Sequence, residues 1–432
     1  MPKFIITGIQ MRNKGSQAMF LSLYYALKAN FRDCEVVGFA NKYDNPEQYA
    51  FTLLPYDAYT RFLFKYRLDR IPGLHHVMTY LLGLFRNNRK WLGVVPVMTR
   101  ALREADAIFD ASGYTLGSGW DKEAGELLLD TIRTARRYRK DILLMPQSFG
   151  PFDWGEADDA RFNDQIREEL AYCRKIYVRE KEGYASLAGL GLKNVELSAD
   201  MVIRERFFPA THDIHAPSMA AQVSYPAKGS VGFILNANVF RVGDPGAVLR
   251  LYADIVNRLV GNGEKVHILN SSTADARYVE ELVAMVKFPE RVRIISGEYS
   301  SPQLIEIISR FKYVVASRYH SVVFAYRSGV PAVILGWASK YQDLAEHFEQ
   351  QDYVFDIKDP NIAGILEKID RMGQVYEAES RRIIQCLDIV QESSVVSDAL
   401  ACLRGEDCVE LEPVPRRRGP VWPAPLRDLS TM

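Results

Sequence analysis

The sequence predicts an α/β fold: two Rossmann-like domains whose parallel sheets face a common cleft. Two observations predict it. Short β-branched runs alternate with helix-length amphipathic segments through most of the 432 residues. That is the pattern of parallel strands joined by crossover helices. The alternation also falls into two series, separated by an irregular, proline-containing stretch at 204–229. The chain is long enough for two domains of ordinary size, each with its own core.

In the first series the apolar run Phe4–Thr7 is a strand, and Ser16–Asn30 the helix that follows. Further strands are expected at Ala107–Phe109, Ile142–Met145, Lys175–Val178 and Asn194–Leu197. The second series gives strands at Val231–Leu235, Lys265–Leu269, Arg291–Ile295, Tyr313–Ala316 and Pro331–Leu335, with a helix at Ser321–Ser328. The expected division is an N-terminal domain at 1–205, a linker at 206–229 and a C-terminal domain at 230–408. Residues 409–432 are rich in Pro and Arg and carry too little patterned apolar surface to pack, so a mobile tail is expected.

An insertion at 56–103 breaks the rhythm. Between Arg61 and Arg103 stand nine Lys/Arg against the single acid Asp69, interleaved with Phe62, Phe64, Tyr66, Tyr80, Phe85 and Trp91. One reading is a surface arm that meets anionic lipid or a lipid-diphosphate acceptor at the inner membrane face. The other is a helical insertion that packs its aromatics on the first domain and leaves its basic face in water. The pattern favours the second.

Charge and cysteine usage exclude several function classes. Lys+Arg and Asp+Glu both number 54, so no global field draws the chain to nucleic acid, and any cationic site is local. Cys34, Cys173, Cys386, Cys402 and Cys408 show neither disulfide-framework nor metal-ligand spacing. His212 and His215 lack a nearby third ligand, so no metal site is expected. With no signal-peptide pattern and no membrane-length apolar run, a cytoplasmic protein is expected.

Chemistry-bearing residues cluster at strand ends, where open α/β sheets bind ligands. Ser317-Arg318-Tyr319-His320 follows one strand, and Lys340 follows the next. They set a guanidinium, an imidazole and an ammonium around a helix N-terminus, a combination suited to an anionic substrate. A histidine satisfied near a helix start and a solvated lysine are the plainer readings. Arg179 ends another strand, as an anion fork or as the partner of Glu180 or Glu182. Asp110 can act as a base or bind a sugar hydroxyl, and it can equally tie down its loop. Gln147, in a turn bounded by Pro146 and Pro151, can read a hydroxylated ligand. Asn13, Gly15 and Ser16 form a turn in which Ser16 caps the helix. Asp200 is a further strand-end carboxylate.

Taken in order, Asn13-x-Gly15-x-x-Ala18, Gln147-x-x-Gly150-Pro151, Val178-Arg179-Glu180, Asp200, Arg318-x-His320, Gly329-x-Pro331 and Lys340 resemble the polysaccharide pyruvyl transferase family. The resemblance spans residues 4–350. It implies a GT-B-like fold and transfer of pyruvate from phosphoenolpyruvate to a sugar as a cyclic ketal, releasing phosphate. It further implies that Arg179, Arg318 and Lys340, with Ser317 beside them, bind the donor. It implies proton transfer by His320, and the residues themselves offer Asp110 as a second catalytic candidate. Asn13, Gly15, Ser16, Gln147 and Asp200 are then the acceptor or loop contacts. Phosphoenolpyruvate is a co-substrate, no cofactor or metal is implied, and the other partner is a saccharide acceptor, free or lipid-linked. Ser16 stands where the family often has Asp, and Asp110–Gly113 where it often has a glycine run, so the acceptor side departs from the pattern.

Two alternatives stand beside this reading. One is a nucleotide-sugar-dependent GT-B glycosyltransferase, for which the hydroxyls of Ser271–Thr273 are suitably placed but an acidic ribose partner is not evident. The other is a non-catalytic module that docks a polysaccharide biosynthesis complex at the membrane through 61–103.

Overall fold

The computed structural model describes residues 1–40, 46–71, 73–74, 77, 94–211, 214 and 223–406. The expected tail at 409–432, the middle of the linker (212–213 and 215–222) and the centre of the basic insertion lie outside the described residues. Two parallel sheets organise the rest. The first contains β1 (Lys3–Ile9), β2 (Glu35–Ala40), β3 (Thr52–Pro55), β4 (Ala107–Asp110), β5 (Tyr114–Leu116), β6 (Asp141–Phe149), β7 (Lys175–Val178) and β8 (Val195–Leu197). Their order is β3-β2-β1-β4-β6-β7-β8, with β5 paired to β6. The second contains β9 (Val231–Ile234), β10 (Val266–Asn270), β11 (Val292–Ser296), β12 (Tyr313–Ala316), β13 (Ala332–Gly336) and β14 (Val354–Asp356), ordered β11-β10-β9-β12-β13-β14. Both orders reverse direction once, between β1 and β4 and between β9 and β12. Such switch points open a crevice at the strand carboxyl ends.

The central strands are apolar on both faces because helices cover both sides of each sheet. All four residues of β4, β9 and β12 are buried. The two halves are also fused. A shared apolar cluster joins Met19 and Phe20 of the helix Lys14–Asn30 to Tyr319, Val322 and Val323 of the helix Tyr319–Arg327. Gln17 Oε1 accepts from Ser301 N at 2.6 Å across the same contact. The crevice is therefore dry on one side and open on the other.

Three expectations change. Pro146–Phe149 is not a stiff turn but the end of β6, drawn out by the pairing of Tyr114 with Ser148, while a register shift between Leu144 and Gln147 accommodates Pro146. The first helix starts at Lys14 with Asn13 as its cap, so Ser16 lies inside the helix rather than before it. The helix Val395–Arg404, counted with the second domain, returns to the first half. There Arg204 pairs with Asp398 at 2.9 Å, and Glu205 accepts from Val396 N at 3.1 Å.

The described flanks of the basic insertion pack on the first domain. Phe64 is fully buried, Lys65 pairs with Asp130 at 3.0 Å, and Arg70 donates to Arg137 O at 3.2 Å. Tyr80, Phe85 and Trp91 lie outside the described residues. Among the described residues, no helix is long and apolar enough to cross a membrane.

Candidate active site

Because both sheets present their carboxyl ends to the crevice, strand-end residues from both halves meet there. Asp200 is the hub. Its Oδ2 accepts from Arg179 Nη1 at 3.0 Å and lies 3.7 Å from His320 Nε2. Its Oδ1 accepts from Val202 N at 3.0 Å and so caps the short helix Met201–Arg204. Arg179 is 3 % exposed as a side chain and spends each nitrogen on the protein. Nε donates to Ser148 Oγ and Nη2 to Gly113 O, both at 3.0 Å. Its guanidinium lies 4.6 Å from the Tyr319 ring centroid. The sequence offered Glu180 or Glu182 as its partner; Asp200 takes that place, and Glu180 stands at 3.7 Å. Arg179 is thus not an open fork, because all three of its nitrogens are engaged within the protein.

His320 is the second residue of the helix Tyr319–Arg327. Burial drives its pKa down to about 4; the attraction of Asp200 opposes the fall, while repulsion from Arg179, Lys340 and Arg318 deepens it. At neutral pH the imidazole is uncharged and able to take a proton. Its Nε2 is buried without a hydrogen-bond partner. Arg318, next to it, forms an ion pair with Asp275 and leaves its own buried Nε without a partner.

Lys340 opens the helix Lys340–Glu346 after β13. An aromatic box surrounds its ammonium, with the ring centroids of Trp337, Tyr319 and Tyr114 at 4.9, 5.4 and 5.6 Å. Burial, together with repulsion from Arg179, lowers its pKa to about 7 against the pull of Glu180 and Asp200. Lys340 is half-buried against these rings rather than fully solvated as in the plainer reading. Glu180 shifts upward, chiefly through burial, and accepts from Ser148 Oγ at 3.0 Å and Phe149 N at 3.2 Å. Lys340 and Glu180 both line an interdomain cavity of about 850 Å³.

Several expected site residues are engaged elsewhere. Asp110, 1 % exposed, accepts from Thr7 Oγ1 at 2.8 Å, Ser112 N at 3.0 Å and Gln147 Nε2 at 3.3 Å. It ties its loop down, and its burial keeps it away from a reacting centre. Gln147 is fully buried beside it. Ser317 Oγ accepts from Tyr252 OH at 2.9 Å beneath the strand end, so it supports the site rather than touching a donor. Asn13 Oδ1 accepts from Gly15 N at 3.1 Å and Ser16 N at 3.4 Å. Ser16 Oγ accepts from Gln10 N at 2.9 Å, so both side chains close the turn after β1 instead of reaching the crevice.

Sequence reasoning missed Tyr114, Tyr319, Trp337 and Asp275. Tyr319 was legible, since it stands between two residues already singled out. Asp275 follows the end of β10 and satisfies the same strand-end rule. Tyr114 and Trp337 carry no local signal, because only the tertiary fold brings them to Lys340. Among the described residues, one carboxylate group is tight enough to share a metal, Glu156 with Asp158 and Asp159. It lies off the cavity wall and surrounds Lys122 Nζ at 2.6–2.9 Å.

The fold is shared with proteins of GT-B architecture. A structure from Listeria monocytogenes described as a UDP-N-acetylglucosamine 2-epimerase superposes with a TM-score of 0.58 at 10 % identity, covering 96 % of this chain and 99 % of that one. MnaA of S. aureus, solved with UDP, gives 0.54 at 10 % identity, covering 94 % of each chain. The α,α-trehalose 6-phosphate synthase of Burkholderia multivorans gives 0.52 at 11 % identity, covering 94 % of this chain and 99 % of that one. At such identities the likeness concerns the fold alone. Comparison with curated proteins found no match. The polysaccharide pyruvyl transferase family model, however, matches residues 13–339, from the cap of the first helix to the residue before Lys340, and the chain belongs to that family.

Proposed function

We propose that the protein transfers pyruvate from phosphoenolpyruvate to a sugar of a cell-surface or exopolysaccharide precursor, forming a cyclic ketal and releasing phosphate. One observation carries the donor assignment: Arg179, Arg318 and Lys340 all act on one buried, neutral imidazole, that of His320. Phosphoenolpyruvate carries a phosphate and a carboxylate, so its site needs at least two cations. Arg318 Nε supplies an unspent buried N–H of the kind a bound anion satisfies, and the unpartnered His320 Nε2 is left to take a proton.

Neutral His320 accepts the proton of the attacking sugar hydroxyl. His320 passes that proton to the methylene carbon of the donor, C2 becomes oxocarbenium-like, and the sugar oxygen bonds to it. The C2–O bond to phosphate then breaks, and a second hydroxyl closes the ketal as its proton leaves with phosphate. Of the two hydroxyl protons, one ends on the new methyl group and one on phosphate, so charge balances. Positioned proton transfer of this kind contributes on the order of 10²–10⁴-fold. The route itself calls for no metal or redox cofactor.

The runner-up, a nucleotide-sugar glycosyltransferase, finds less support. Asp275 is the strand-end carboxylate placed to hold a ribose, yet it is 1 % exposed and already holds Ala237 N and Arg318. Phosphoenolpyruvate as donor also locates the reaction in the cytoplasm. A lipid-linked acceptor at the inner membrane face is a separate question, which co-sedimentation with anionic vesicles tests. The deciding assay is phosphate release from phosphoenolpyruvate with free and lipid-linked glycosides, alongside thermal shifts with phosphoenolpyruvate and nucleotide sugars. Stabilisation by a nucleotide sugar alone would overturn the assignment.

A further inference from the structure

The interdomain cavity has a wall that the donor cations do not occupy. Trp120 lines it and remains 38 % exposed. Its backbone is nevertheless firmly held. Trp154 Nε1 donates to Trp120 O at 2.8 Å. Tyr114 OH accepts from Gly119 N at 3.1 Å and donates to Gly150 O at 3.0 Å. The loop lies so close over Tyr114 that a β-carbon at Gly117 or Gly119 would fall 2.6–2.8 Å from that side chain. From the other half, the Arg241 guanidinium sits 5.1 Å from the Trp120 ring centroid. Tyr114 and Trp120 lie 6.3 Å apart between centroids, and Tyr114 also contacts the ammonium of Lys340. Two aromatic rings, tilted 53° to each other on a firmly held loop, therefore lead along the cavity wall from Trp120 to Lys340.

The charges of the cavity indicate what this wall takes. Arg241, Lys340 and Lys358 are balanced by Glu180, Glu182 and Asp356. A nucleoside diphosphate calls for a cationic excess. A neutral polyhydroxylated ring calls instead for a flat apolar face with carboxylates beside it to accept hydroxyl protons. Of the residues first expected to meet the acceptor, Ser16, Gln147 and Asp200 are buried and engaged within the protein, while the exposed Asn13 spends its Oδ1 on the cap of the first helix.

Resting on the pyruvyl-transfer reading, the geometry points to Trp120 and Tyr114 as the platform of the acceptor subsite. It takes a neutral hexopyranose unit, whose C–H face stacks on the Trp120 ring and whose hydroxyls are read by the exposed Glu182. The test is saturation-transfer NMR on the full chain with methyl glycosides of glucose, galactose and mannose, comparing wild type with Trp120→Leu and Trp120→Phe. Phosphoenolpyruvate thermal shifts are measured on all three. Glycoside affinity is expected to fall about tenfold in Trp120→Leu, to be largely kept in Trp120→Phe, and the phosphoenolpyruvate shift to stay unchanged. An unchanged glycoside signal in Trp120→Leu, or none in wild type, overturns the platform while a surviving phosphoenolpyruvate shift leaves the donor reading standing. Loss of glycoside binding in Trp120→Leu without any phosphoenolpyruvate shift in wild type does the reverse.

Discussion

The imidazole of His320 rests directly on Gly15. A β-carbon at residue 15 would fall 2.1 Å from His320 Nδ1. The two residues are 305 positions apart and start helices in opposite halves of the molecule. Gly15 lies within a regular helix, so its identity is not required by a turn. The neighbour sets it, because no other residue leaves room for the ring.

This gives the first prediction. Gly15→Ala should suit the helix itself by about 1 kcal/mol, since alanine is the better helix former. The added methyl cannot coexist with the imidazole where it stands. Turnover should fall about 10²-fold, the lower end of what positioned proton transfer contributes. Steady-state phosphate release and a thermal melt check both halves. A variant with normal turnover would separate His320 position from catalysis.

Asp200 has a different signature. It neutralises a guanidinium that is 3 % exposed, and its own side chain is fully buried. Asp200→Asn leaves Arg179 as a buried charge without its counter-ion, which should cost about 3–5 kcal/mol. Urea unfolding should show a clear fall in midpoint alongside the loss of activity. Stability within 1 kcal/mol of wild type would mean that Glu180 had taken over the pairing.

How much of this was legible follows from what local sequence encodes. Lys175–Val178 and Tyr313–Ala316 stand as strands with the bounds their apolar runs predict. β2 and β3, of six and four residues, were missed despite their ordinary length, whereas β5 and β14 were missed for a common reason. Tyr114–Leu116 and Val354–Asp356 have three residues each, and pairing with β6 and β13 makes them strands rather than propensity. The convergence of Arg179, His320 and Lys340 was legible because parallel sheets bring all their strand ends to one edge. Individual partners were not. Arg179 passes over its neighbour Glu180 for Asp200, 21 positions away, and nothing local encodes that choice.

The returning C-terminal helix supplies a third prediction. Glu205, 4 % exposed, accepts from Ser394 Oγ at 2.8 and 3.0 Å and from Val396 N at 3.1 Å. It thereby satisfies the start of the helix Val395–Arg404 from the other half of the chain. Glu205→Ala leaves those donors unpaired and should cost about 1–3 kcal/mol. Hydrogen exchange should show helix 395–404 opening first, with the donor thermal shift preserved. Uniform loss of protection across both sheets would rule out a local role.

Lys340 makes the pH dependence predictable. Its pKa is held at about 7, well below its ordinary 10.5. Below about pH 7 both the folded and unfolded chains carry the proton, and folding bears the full penalty of burying the charge. Between about pH 7 and 10.5 the unfolded chain binds more protons than the folded one, so stability rises with pH. The slope contributed by this residue reaches up to about 1.4 kcal/mol per pH unit and should disappear in Lys340→Met. Donor capture runs the other way, because the anion needs the ammonium. The value of kcat/KM for phosphoenolpyruvate reports the free enzyme, so it should decline as pH rises through about 7. Lys340→Arg stays charged and should shift that decline away from neutrality, even if the planar group fits the aromatic box less well. Stability that falls between pH 7 and pH 9, or a declining limb unmoved in Lys340→Arg, would assign the titration to another group.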